Sequence, residues 1–290
     1  MHRGSGQGEP LPPSVLFPSW SVFPSGLGLG LRLQQGRGDA KLPTVFDRNR
    51  QPKQTDQIQV AIERGRDGYA AAWCLDLPGC YALVPPGADP IERASVAILE
   101  FASWSHNRAA GKMTLVPGQV TIAQALETGA DICGGETLAF FLHDGEPPVP
   151  GEFPLWATPH DRALDELREL ALTFPPGMHD HRLDDTGRTV LEIIDHAAEA
   201  ERFFASRLHA GTKHTPKPAQ DHGFRHLQDS HLFLQQVVCD VPATTRLSLG
   251  ADGPERPETW SVRKVMRRSI WHLRYHTWEL RRAVGSIWLG

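Results

Sequence analysis

The stretch SIWHLRYHTWEL, residues 269–280, places His272 and His276 four residues apart. On a helix that spacing leaves Cβ atoms about 5–6 Å apart, so two imidazoles can close on one divalent ion through metal–nitrogen bonds of about 2.0–2.1 Å. Two ligands seldom suffice, and His196, in VLEIIDHAAEAERFFASRL, is the third candidate. The competing reading is a pair of satisfied core histidines. The i, i+4 pair by itself leaves the two readings evenly balanced. H-L-R-Y-H lacks the glutamate that acts as general base in H-E-x-x-H peptidases, which disfavours peptidase chemistry.

Helices must position these rings. From near Ser261, Val262, Val265, Met266, Ser269, Leu273 and Leu280 form one buried stripe, with His276 inside it and His272 at its edge. An earlier helix opens on the capping box Thr189/Glu192, and His196 borders its face of Ile193, Ala200 and Phe203. Before it, Thr158-Pro159 with Asp161 predicts a helix start. Ala163, Leu164, Leu167, Leu170, Ala171 and Phe174 then trace one face as far as Pro175-Pro176. A further helix, from about Asp221 to Val238, turns Phe224, Leu227, Leu234 and Val238 inward. Four helices over this span make a bundle, residues 158–290, the economical architecture. His231 is a core residue or a fourth ligand, with core favoured. Glu279 is a partner for a ring or for Arg282. His179, His181, His222 and His226 default to solvent, and Cys239 reads as packed.

Upstream, Ile58, Val60 and Ile62 alternate, a Gly/Arg/Asp turn follows, and Ala71, Trp73 and Leu75 alternate again. CYALV supplies a third strand, and Asp89-Pro90 an N-cap and first helical residue ahead of Ile91, Ala94, Ile98 and Phe101. Residues 56–106 therefore read β-β-β-α. Residues 107–157 are a Pro/Gly-punctuated connector with strand-like pieces QVTIA and TLAFFL. Residues 1–55 are a Gly/Pro-rich arm whose composition buries too little apolar surface to order it. The expected class is α+β.

Two resemblances sharpen this. CLDLPGCYALVPPGADPIERASVAI resembles the small HicB-like antitoxin module, carried by Asp76, Leu77, Pro78, Gly79 and Cys80 over some 50 residues. TVLEIIDHAAEAERFFASRL and TWSVRKVMRRSIWHLRYHTWEL, with the spacing between them, resemble the DinB/YfiT superfamily over about residues 158–284. That resemblance implies a four-helix bundle in which His196, His272 and His276 hold a metal. It also implies a relation to metal-dependent transferases that use low-molecular-weight thiols.

Three neutral imidazoles leave coordination positions open, as in a catalytic site. The expected cofactor is a divalent ion, Zn²⁺ or Ni²⁺, with a low-molecular-weight thiol as co-substrate for S-transfer to an electrophilic small molecule. The alternatives are a non-catalytic metal-stabilised binding or stress-response protein and a metal-dependent hydrolase. Thirty Lys+Arg against 34 Asp+Glu, net −4, make no electrostatic case for nucleic acid or an anionic membrane. The basic run Arg263, Lys264, Arg267, Arg268, Arg274, Arg281 and Arg282 is read as a solvated face complementing Glu192, Asp195, Glu199 and Glu201. Four cysteines without a C-x-x-C pair fit a reducing, cytoplasmic setting. Neither signal peptide nor membrane span is read, and a homodimer is the open alternative to a monomer. A chain starting at Thr55 is expected to keep its cooperative unfolding transition in urea, and its loss would contradict the assignment of the arm.

Overall fold

A computed structural model describes residues 57–105, 115, 118–183, 186–208, 223–249 and 258–289, with no side chains described for 285–289. The expected arm at 1–55 and the expected helix start at Asp221 lie outside the described residues. Strands β1 (Ile58–Arg64) and β2 (Ala70–Cys74) pair antiparallel, Val60 opposite Cys74 and Arg64 opposite Ala70, across the Gly65–Gly68 turn. Strand β3 (Tyr81–Val84) pairs antiparallel with β2. Helix α1 (Pro90–Ser105) then starts where the N-cap predicts, with the Ile91 amide donating to Asp89 Oδ1 at 2.8 Å. It buries Ala94, Ile98, Phe101 and Ala102.

The connector departs from its expected form. QVTIA becomes part of β4 (Val120–Glu127), which joins the sheet parallel to β1 and gives the order β3-β2-β1-β4. TLAFFL forms no strand. The Leu138 and Ala139 amides donate instead to the fully buried carboxylate of Glu63, the latter at 2.8 Å, and Phe141 donates to Asp144. A buried carboxylate satisfies amides that would otherwise require a neighbouring strand.

Helix α2 (Glu152–Leu172) starts six residues before Thr158, a correction to the sequence reading, and holds Pro159 in its interior. Gly151, at φ 85°, precedes the first turn, and Glu152 accepts from the Val149 amide at 2.8 Å. Helix α3 (Val190–Leu208) has the predicted capping box: the Thr189 amide donates to Glu192 at 2.8 Å and the Glu192 amide to Thr189 Oγ1 at 3.0 Å. Helix α4 (Phe224–Asp240) follows, then the antiparallel ribbon β5 (Arg246–Leu249) and β6 (Glu258–Ser261), and finally α5 (Val262–Leu289). The chain is thus a mixed α/β fold, a four-stranded sheet with α1 followed by four long helices. Cys239, expected to pack, is exposed, because the inward residues Leu234, Val237 and Val238 occupy the other face of α4.

Sheet and helices share one core. Val60, Ala72 and Val84 belong to the same apolar cluster as Ile98 of α1, Phe204 of α3, Leu234 of α4 and Ile270 of α5. The Asp76–Cys80 turn lies directly against α5. Gly79 has φ 84°, and a Cβ there would lie 2.3 Å from Cγ2 of Ile270; Arg274 Nη1 donates to its carbonyl at 3.1 Å. Cys80 is buried.

The basic run of α5 is not a solvated face. Arg263, Lys264 and Arg267 are buried and the other four are half-buried. Arg263 meets Glu152 (2.7 Å), Arg267 meets the buried Asp144 (2.7 Å), and Lys264 and Arg268 share Glu258 (2.7 and 2.9 Å). Arg267 also lies over the Trp73 ring, 4.5 Å from its centroid. Burial pushes the Lys264 ammonium down to about 8 even with Glu258 beside it. The acidic partners come from outside α3, because the connector and β6 wrap this face first. Gly79→Ala is expected to cost about 2–5 kcal/mol in urea unfolding, from overpacking on α5 and left-handed strain together. Gly87→Ala, at φ 81° with open space around it, should cost about 1–2 kcal/mol. Equal losses would contradict the contact.

Candidate metal centre

Helical periodicity decides which rings can meet. On α3 the buried face is Ile193, Ile194, Ala197, Ala198, Glu201, Phe204 and Ala205, so His196 stands at its border and is exposed. This shifts the face from the one expected, since Phe203 is 40% exposed. On α5, His276 lies in the buried stripe and His272 at its edge, as expected.

The three rings converge. His196 lies 5.2 Å from His272 and 5.0 Å from His276 between centroids, and His272 lies 4.4 Å from His276. One donor nitrogen from each falls within 4.8 Å of the others. His276 Nδ1 is 2.7 Å from Glu279 Oε2, so Nδ1–H donates to the carboxylate and the Nε2 lone pair faces inward. That Nε2 sits 3.1 Å from His272 Nε2. His272 Nδ1 is buried with no hydrogen-bond partner. Two ring nitrogens aimed at one another, with a carboxylate fixing one tautomer, form a donor set that fits a divalent ion.

The electrostatics keep the rings neutral. Burial pushes all three imidazoles below their ordinary range, His272 and His276 well below it; the other two rings further lower His272, and His196 further lowers His276. Arg188, whose Nε is 4.0 Å from Glu279 Oε1, adds to this at His196 and His276. Burial raises the Glu279 carboxyl. Phe204 packs edge-on against His272 and Tyr275 against His276, and the connector's Gly135 lies beside the Tyr275 ring. Arg188 and Tyr275 carried no signal in the sequence, since their place beside the rings depends on tertiary packing.

His231 does not join this centre. It is buried with His160 of α2 and Glu201 of α3, the second group of residues here whose donor atoms cluster within 4.8 Å. Glu201, read as part of an acidic surface, is fully buried there. Burial would raise its carboxyl, but His160 and His231 hold it well below the usual range. Burial would likewise lower His231, but Asp161 and Glu201 outweigh it and hold the ring at about 9. The period-3.6 pattern could have found Glu201, on one face with Ala197, Ala198 and Phe204, and His160, one turn before Ala163 and Leu164. His226, expected in solvent, is 8% exposed and lies 3.7 Å from Asp195. His179 bonds to the Phe174 carbonyl at 3.0 Å, His181 is exposed, and His222 lies outside the described residues. No described helix is long and apolar enough to cross a membrane.

Because the folded-state pKa values are depressed, the unfolded chain binds more protons below about pH 6.5. Metal-free protein should therefore lose stability as pH falls from there, and substituting His272 and His276 by Gln should flatten that slope in urea titrations. An unchanged slope would contradict burial of neutral rings. Comparison with protein-family models, curated proteins and solved structures finds no match to this chain.

Proposed function

We propose that the chain is a DinB/YfiT-like metal-dependent protein in which His196, His272 and His276 hold Zn²⁺ or Ni²⁺ and a low-molecular-weight thiol is transferred to an electrophilic small molecule. The convergence of one ring from α3 and two from α5 carries the reading. The packing of α2 to α5 supports the superfamily resemblance, and the β-β-β-α order with its Asp76–Cys80 turn supports the HicB-like one.

A divalent ion held by His196, His272 and His276 would lower the pKa of a bound thiol toward neutrality. The chain's own groups do the rest. Glu279 holds the His276 ring in one tautomer, Phe204 and Tyr275 pack edge-on against His272 and His276, and His196 is the exposed ring of the three. Arg188, partly exposed beside the rings, suits a carboxylate on the thiol or on the acceptor. The exposed Phe203 ring, two turns from His196 on the same helix, offers an apolar wall. In the step itself the thiol proton passes to solvent, the sulfur forms a bond to the electrophilic carbon, and the bond from that carbon to its leaving group breaks, the electron pair departing with the leaving group.

In this reading the nucleophile is an added thiol; of the chain's own four cysteines, Cys133 in the connector is exposed and lies near the Tyr275 hydroxyl, and the other three are poor nucleophiles. Cys74 and Cys80 are buried, with the Cys74 thiol pushed well up by its neighbour Cys80 and by burial. Cys239 is exposed but is also raised, by partial burial and by Asp240.

Cobalt-substituted protein should develop a thiolate-to-metal charge-transfer band on addition of a small thiol. His272→Ala should abolish that band and lower metal-dependent electrophile consumption by about 100-fold or more. Consumption proceeding equally without thiol would replace this reading by a metal-dependent hydrolase. Neither band nor turnover across a thiol panel would favour a non-catalytic binding protein.

A further inference from the structure

The buried cluster away from the three-histidine centre draws one residue from each of four helices: His160 (α2), Glu201 (α3), His231 (α4) and Ser269 (α5). None is more than 1% exposed. His160 Nε2 lies 2.9 Å from Glu201 Oε2 and 2.7 Å from Ser269 Oγ, and the Ser269 hydroxyl donates to Glu201 Oε1.

The second ring is the informative one. His231 Nε2 meets the carboxylate of Asp161 at 2.9 Å, and Gln235 donates to the same oxygen at 2.6 Å. With Nε2–H donating to Asp161, His231 Nδ1 is directed at Glu201 Oε2, 3.3 Å away. In the metal-free protein the proton that Asp161 and Glu201 hold on this ring fills the gap. A divalent ion can take the place of that proton, since one donor atom from each of His160, Glu201 and His231 lies within 4.8 Å of the others, and a carboxylate on the far nitrogen is the usual support of a ligating imidazole. Two neutral imidazoles and a carboxylate are a recognised donor set for divalent transition metals. The charges also balance, since a divalent ion meets Glu201 and Asp161.

We propose that His160, Glu201 and His231 form a second metal site, for a divalent ion such as Zn²⁺, with the Ser269 hydroxyl beside the fourth position. It is structural, because all its donors are buried, and it ties α2, α3 and α4 together. Glu201 is five residues beyond His196 on α3, about 7.5 Å along the axis, so the two sites do not share an ion.

The test isolates this site from the other one. The full chain and a His196→Ala/His272→Ala/His276→Ala variant are stripped with chelator in denaturant, refolded with Zn²⁺, desalted and analysed for metal. The triple variant should retain one equivalent and should unfold at a higher temperature with zinc than without. Glu201→Gln in the otherwise unaltered chain should lose one equivalent. A triple variant folded by circular dichroism that binds none would mean a proton, not an ion, lies between His231 and Glu201, and would overturn the proposal. So would a Glu201→Gln chain that binds as much zinc as the unaltered protein. If the unaltered chain and the triple variant each bind one equivalent, the three-histidine centre fails while this site stands.

Discussion

Helix α5 is enclosed along most of its length while carrying arginines, a lysine and two histidines, and the cost of taking those groups out of water constrains everything packed around it. An unpaired buried cation costs several kcal/mol, and pairing offsets that only when geometry and further hydrogen bonds are good. The structure meets the constraint locally. Asp144, Glu152 and Glu258 face Arg267, Arg263 and the Lys264/Arg268 pair, while Trp73, Phe141 and Trp260 offer ring faces to the same cations. The connector is irregular where it passes α5 because its backbone serves these charges: the carbonyls of Leu138 and Ala139 accept from Lys264 and Arg267.

The same enclosure makes the histidines informative. An imidazole in water finds partners freely, whereas His272 and His276 have their tautomers chosen by whatever surrounds them. Glu279 accepts from His276 Nδ1–H, and the two Nε2 atoms face one another with the His196 ring beside them. Along α5 the polar interior therefore changes from paired cations, in its first two turns, to neutral rings further on. The sheet contributes at a distance. Gly79 admits Ile270 and Trp271 against the Asp76–Cys80 turn, which seats the face of α5 that precedes the rings.

Local signals were legible in the sequence where a few neighbouring residues determine structure. The Asp89 cap, the Thr189/Glu192 box and the stripe from Val262 to Leu280 each depend on contacts within a turn or two, and each is found as read. Periodicity put His196, His272 and His276 at the edge or inside of apolar faces, and the superfamily resemblance is what grouped them as one set; the rings do converge. The start of α2 was not. Pro159 reads as a first-turn residue, yet the helix carries it internally, because Trp156 and His160 on either side are held by partners more than 40 residues away. Glu63, which organises the connector, gave no signal either, for its amide partners lie about 75 residues downstream.

The central claim is that three imidazoles from α3 and α5 form one metal-binding centre. Anomalous diffraction at the zinc edge from crystals of the full chain grown with Zn²⁺ reads it most directly. The account predicts an anomalous peak about 2.0–2.1 Å from a nitrogen of each of His196, His272 and His276. Zinc-grown crystals whose map shows no peak among these rings, with His272 and His276 hydrogen-bonded only to each other and to Glu279, would contradict it.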